Sequence, residues 1–365
     1  MRKRCIALVM SLFHIACESP SASPDDPSSG DPLGGTTQLA IPVPQSGRVH
    51  VRLGQPAVVA PDGDPKKSDA WDLAFEGYNI YTNSGVSGSG QGGAFGPLDL
   101  ATLASNSEPT VPFISADKAG GAFLDWYAYD GGAHLLYSRF HVYGVKSGAR
   151  LWKVQLLSYY GVRNSAPTSA LYQIRYAEVT TGIGATQQLD VDGTAGGVAD
   201  PALAPSGCLN LAAGSVSTLT SAAAQASTSW DLCFRRDAVS VNGEAGGPGS
   251  VGAIDLQAAQ TASESLAAVQ ARSAAGEQPR FDAVSASSLA SAAFRGDHIV
   301  SAFETGLWID TTQSPPKPAA AQVWLVVDAS GQHRFLITFS AFQNATTSSP
   351  GTVVAHIKPV SGSPS

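Results

Sequence analysis

Apolar residues in this chain gather in runs of strand length, alternating with polar residues or continuous. Val49 to Leu53, Trp71 to Phe75, Phe123 to Tyr129, His141 to Val145, Leu151 to Tyr160 and Tyr172 to Val179 are such runs. Val323 to Val327, Arg334 to Phe342 and Val353 to Ile357 follow in the second half. The residues between them are Gly, Ser, Asn and Asp, the turn formers that punctuate antiparallel sheet. One stretch reads as helix: Leu256 to Ala275 is rich in Ala, Gln and other good helix formers. The pattern predicts an all-β fold with a few short helices.

The pattern also repeats. Trp71, Asp72, Leu73, Phe75, Asn83, Gly88, Gly90, Gly93 and Ala94 recur without a gap as Trp230, Asp231, Leu232, Phe234, Asn242, Gly247, Gly249, Gly252 and Ala253. Thr37-Gln38-Leu39 matches Gln187-Gln188-Leu189 and its neighbour Thr186, and Ser46-Gly47 matches Ser206-Gly207. Downstream, Val142-Tyr143 and Trp152 to Leu156 match Val323-Trp324 and Phe335 to Phe339, and Ile174 to Val179 lies opposite Ala355 to Val360. A period this long denotes whole domains rather than a solenoid, and each copy is large enough for its own core. The expectation is two tandem antiparallel β-domains, 37–182 and 184–361.

Composition narrows the setting. Only 14% of residues are charged and the net charge is -7, with no basic cluster after Arg4, so nothing in the chain suits a phosphate backbone. Arg2-Lys3-Arg4, the apolar run Cys5 to Ile15 and the small Ala16 read as an export signal over residues 1–17. Cys17 then stands where a bacterial lipobox places its lipid-bearing cysteine, although His14 departs from that pattern; ordinary signal cleavage without a lipid is the alternative. Residues 18–36, dense in Ser, Pro, Asp and Gly, read as a flexible linker. These features predict an exported lipoprotein on the outer membrane or cell surface that touches membrane only through its anchor. Cys208 and Cys233 are the remaining thiols, and in an oxidising compartment a disulfide is the default, with a metal or redox site as the alternative. In that alignment the first copy has Arg48 and Ala74 at these positions.

Few motifs carry chemistry. Both glycine runs contain G-x-G-x-x-G, but Phe95-Gly96-Pro97 follows the first and Pro248 interrupts the second, so neither opens a helix as a dinucleotide site requires. A loop between strands is the better reading. No P-loop, H-E-x-x-H or G-x-S-x-G occurs, and an enzyme is not expected. Asp190 and Asp192 faintly suggest calcium, though a surface turn explains them better. Both methionines, Met1 and Met10, fall in the signal, which leaves the histidines at 50, 134, 141, 298, 333 and 356 as the main candidate metal ligands.

Ser68 to Phe75, Tyr78 to Gly85 and Gly90 to Ala94, together with Trp126-Tyr127, Tyr129, His134, Val142 to Val145 and Leu151 to Tyr160, resemble the HmuY family of bacterial haem-binding lipoproteins. The second copy resembles it more faintly, through Trp230 to Phe234 and the terminal strands. The resemblance implies an all-β sandwich, a lipid anchor, haem or a related porphyrin held by two axial side chains, and an outer-membrane haem receptor as partner. Trp71, Asp72 and Phe75 are expected to build the fold. His134, between the aromatic run and the strand from His141, is the first choice of axial ligand and His141 the second; Trp126, Tyr127 and Tyr129 would wall the porphyrin. A solvent-facing role for His134 stays open, and the two histidines would share an iron only where the chain turns between them. The alternative function is a cell-surface structural or interaction module that keeps the fold without haem.

Overall fold

The computed structural model describes residues 33–194, 205–303 and 305–361. The export signal 1–17, Cys17 and the linker as far as residue 32 lie outside the described residues. The chain is all-β, as its periodicity predicts. The first copy contributes β1 (Thr37–Pro42), β2 (Val49–Arg52), β3 (Ala57–Val59), β4 (Leu73–Glu76), β5 (Asn79–Thr82), β6 (Gly93–Asp99), β7 (Lys118–Gly120), β8 (Tyr127–Asp130), β9 (Leu135–Ser138), β10 (Val142–Ser147), β11 (Arg150–Arg163) and β12 (Ala166–Glu178). The second contributes β13 (Gln187–Asp192), β14 (Pro205–Asn210), β15 (Ser215–Thr220), β16 (Leu232–Arg235), β17 (Ala238–Val241), β18 (Gly252–Asp255), β19 (His298–Val300), β20 (Ile309–Asp310), β21 (Lys317–Pro318), β22 (Gln322–Val327), β23 (Arg334–Gln343) and β24 (Thr352–Val360). Each of the larger sheets has a counterpart whose strands stand twelve places away in chain order: β3-β2-β4-β5 corresponds to β15-β14-β16-β17, and β1-β24-β23-β22-β6 to β13-β12-β11-β10-β18.

Those five-stranded sheets do not respect the division expected near residue 183. β1 pairs with β24 and β6 with β22, while β13 pairs with β12 and β18 with β10. One sandwich is therefore built from the continuous stretch 118–297, and the other from the two flanks, 33–117 and 298–361. The chain crosses between them twice, at β7 and β19, which pair antiparallel with Ala119 opposite Ile299. An approximate two-fold axis passes through that pair.

The cores are mixed accordingly. Val51 and Phe75 of the first copy pack with Trp324 and Phe339 of the second, and Tyr143 and Tyr172 of the first pack with Leu209 and Phe234 of the second. Two indoles tie each exchange. Trp126 Nε1 donates to Asp237 O at 2.8 Å, and its counterpart Trp308 donates to Tyr78 O at 3.1 Å, each reaching the β-turn of the other copy. Burying aromatics of this size with their N–H satisfied contributes heavily to a core.

Among the described residues helix appears only in short pieces, and the single helix expected over Leu256 to Ala275 is broken. A 3-10 segment, Ala258–Ser263, gives way to α2 (Leu266–Gln270), after α1 (Ser221–Gln225) and before α3 (Gln278–Asp282), α4 (Ala286–Leu289) and α5 (Thr305–Trp308). The break has two causes. Glu264 is extended and its carboxylate is drawn to Arg139 and Arg272, while Ser265 caps α2 by accepting from Ala268 N–H. α3 and α4 cover the outer face of the β10–β12 sheet through Phe281, Val284 and Leu289, and there buried Lys153 donates to Phe281 O and Val284 O at 2.9 and 3.1 Å. In the other sandwich Lys358 donates to Leu103 O at 2.6 Å. Lys153 pairs across the ladder with Ala177, and Lys358 with Leu336, so the lysine sits on opposite strands of equivalent pairs. In both sandwiches an ammonium satisfies carbonyls at the end of a covering helical turn.

Candidate functional site

The residues shared by the two copies build the fold in the same way twice. Asn83 Nδ2 donates to Ser68 O and Trp71 O, and its Oδ1 accepts from Gly90 N–H. Asn242 makes the corresponding bonds to Ser227 O, Trp230 O and Gly249 N–H. Asp72 and Asp231 accept from Leu53 and Leu211 N–H, each at 2.7 Å. The glycine runs exist for this arrangement. A Cβ on Gly88 would lie 2.0 Å from Asn83 Oδ1, and one on Gly247 2.3 Å from Asn242 Oδ1. The loops wrap an asparagine side chain, in keeping with the strand-connecting reading of both G-x-G-x-x-G runs.

At the crossing between sandwiches lie two buried carboxyls that sequence reasoning missed. Asp117, just before β7, accepts from Thr82 N–H and Oγ1, from Ser87 Oγ and from Ala302 N–H. Burial pushes its pKa up to about 6 against those bonds. Asp297, just before β19, accepts from Val241 N–H, while its Oδ1 is buried with no hydrogen-bond partner among the described residues. Burial pushes this carboxyl up to about 7 against the bonds from Val241 N–H and Ser240, with Glu244 adding to the rise. Their offset, 180 residues against 159 for the tryptophan block, hid the pair from the gap-free match.

The two candidate haem ligands are not brought together. His134 sits exposed at the β8–β9 turn with φ 56°, and its Nδ1 lies 2.6 Å from Tyr129 Oη. His141 is buried beyond the far end of β9, with roughly 13 Å of extended chain between the two. Its Nδ1 lies 2.8 Å from Asp255 Oδ2 and its Nε2 3.2 Å from both Glu264 carboxylate oxygens. Burial alone would raise the Glu264 pKa, but hydrogen bonds from Arg272, Arg139 and His141 outweigh it and bring it to about 2. Of the expected porphyrin wall, Trp126 is instead in the core against Tyr159 and Tyr172, and Tyr127 bonds to Asp237; only Tyr129 projects outward, 53% exposed. Asp190 and Asp192 lie on β13, opposite Gln173 and Leu171 of β12, rather than in the expected surface turn, and Asp192 is held by Arg163 and Thr194.

Cys208 and Cys233 form a disulfide across β14 and β16. The strand register corrects their alignment: the counterparts are His50 and Ala74, not Arg48 and Ala74. His50 stands edge-on to Trp71 with ring centroids 5.0 Å apart, and the disulfide packs beside Trp230 in the same position. Burial, then the charge of Arg48, lowers the His50 pKa and keeps its imidazole neutral beside the indole.

A cleft of about 810 Å³ opens between the two sandwiches, over the outer face of β14, β16 and β17 and beside α1. Neither His134 nor His141 lines it. No family model matches the sequence, and no curated protein matches it significantly.

Proposed function

We propose that this protein is a non-catalytic binding module exported to the cell surface, which keeps a β-sandwich fold without clasping haem iron between two histidines. One observation carries the reading: both ring nitrogens of buried His141 face carboxylates, Asp255 at 2.8 Å and Glu264 at 3.2 Å. An iron approaching either nitrogen would strand a buried carboxylate, which costs several kcal/mol. Export rests on the signal-like segment 1–17, and lipid anchoring on the position of Cys17.

A second reading, haem held from His134 with an outer-membrane receptor as partner, is favoured by the exposed imidazole beside Tyr129 and Leu135 at the hairpin tip. A haem titration read at the Soret band separates the two. The first reading expects no saturable shift. A saturable shift abolished by His134→Ala establishes the second, and one abolished by His141→Ala but not by His134→Ala overturns the argument from His141.

A further inference from the structure

The outer faces of the two four-stranded sheets are counterparts, yet one is filled and the other hollow. On β2, β4 and β5, Arg48 donates to Glu76 at 2.9 Å and lies over the Tyr81 ring at 4.0 Å. Val59 and Ile299, the latter from β19, pack against Trp71, Ala74 and Tyr81. This face needs nothing from outside: its charges are paired and its volume is occupied.

The register of the second copy puts Ser206 where Arg48 stands, Arg235 for Glu76, Ser240 for Tyr81, Ser217 for Val59 and Ala119 for Ile299. Four large side chains have become small, and a carboxylate has become a guanidinium. Three of these small residues, Ser206, Ser240 and Ala119, line the cleft of about 810 Å³, a size suited to a small organic molecule. Its floor is partly apolar, through Trp230 and Cys233, with Phe113 exposed at the wall.

Charge in the cleft runs against the chain as a whole. The protein carries a net charge of -7, but Lys66, Lys67, Arg235 and Arg236 all line this space. Of the carboxyls that also line it, Asp117 is engaged by Thr82, Ser87 and Ala302, and Asp237 accepts from Tyr127 while neighbouring Arg235. Asp64 is 4.0 Å from Lys67. Burial lowers the pKa of the Arg235 guanidinium, opposed by the charge of Asp237, and a partly desolvated guanidinium binds an anion more strongly than one in water.

We infer that this cleft binds a small organic anion with an apolar body, its acid group paired with Arg235 and its body filling the space that Tyr81 and Ile299 fill in the other copy. The site is independent of both histidine readings, since neither imidazole lines it.

The probe is the fluorescent sulfonate 8-anilinonaphthalene-1-sulfonate, with uncharged N-phenyl-1-naphthylamine as its partner. The folded protein is expected to bind the sulfonate saturably at one site, with a rise in the thermal midpoint that marks binding to the native state rather than to a loosened one. Ser240→Tyr, which restores the counterpart side chain, should weaken both dyes by about tenfold or more. Arg235→Glu should weaken the sulfonate by about tenfold and leave the uncharged dye within about twofold. His134→Ala should change neither. Because Ser240 lowers the pKa of buried Asp297 beside it, each variant is checked for a cooperative unfolding transition, and Ala119→Ile is the alternative filling variant. Non-saturable binding, sulfonate binding that survives a folded filling variant, or indifference to Arg235→Glu would overturn the proposal.

Discussion

Asp297 shows how a single buried group can set a pH dependence. An aspartate ordinarily ionises near 3.8, and here burial, against its hydrogen bonds, moves it to about 7. Between those values the unfolded chain has lost the proton and the folded chain has kept it. The group's contribution to stability is thus complete below about pH 4 and lost as the pH rises through 7, at up to about 1.4 kcal/mol per pH unit. Asp297→Asn should flatten the stability profile over that window and unfold at higher urea than the wild type above pH 7. A urea series from pH 4 to 8 measures this, and parallel profiles for the two proteins would refute it. Asp117 acts in the same sense and remains in the variant. At this scale the conserved pattern of the tryptophan block was legible as a repeat of fold-building residues. The aspartates were not, because burial is a property of the packed junction and an isolated Asp in sequence carries no mark of it.

Between strands, the disulfide is the clearest element-scale difference between the copies. It joins β14 to β16 over a separation of 25 residues. Closing a loop of that length removes unfolded-state entropy equivalent to about 3 kcal/mol. Cys208→Ala with Cys233→Ala is expected to lower stability by about that amount, measured by denaturant titration, and alkylation followed by mass analysis of the unreduced wild type should find neither cysteine labelled. The pairing was legible from the cysteine count together with the expectation of export. Its counterpart was not: aligning Ser46-Gly47 with Ser206-Gly207 shifted the register by two residues, and only the ladder identified His50 as the residue occupying the same place. The helix over 256–275 failed for a similar reason. Propensity favoured continuity, but a carboxylate wanted by His141, Arg139 and Arg272 pulled Glu264 out of helical geometry, and tertiary contacts outweigh propensities of a few tenths of a kcal/mol.

Taken whole, the molecule is two sandwiches exchanged between two copies, one of them contiguous in sequence. A fragment of residues 118–297 should therefore unfold cooperatively by itself, whereas 37–182 should not do so as a monomer. In the shorter-range cut, Lys153 and Arg175 would lose the carbonyls of Phe281, Val284 and Ala274, leaving buried cations uncovered. Circular dichroism melts with light scattering on both fragments test this, and a cooperative monomeric 37–182 would refute it. Within the chain itself, alternation of apolar and polar positions determined the strands, because the side-chain period of two is local and burial of one face demands it. The gap-free match determined that the same unit occurs twice. What tertiary structure alone decided was partnership: β24 accepts β1 and β12 accepts β13 with ladders and apolar faces that either copy could supply, so no local pattern distinguishes exchange from tandem folding. It also decided which faces are filled and which are hollow, since the cleft over β14, β16 and β17 arises from small residues distant in sequence, and their combined volume exists only once the strands are assembled.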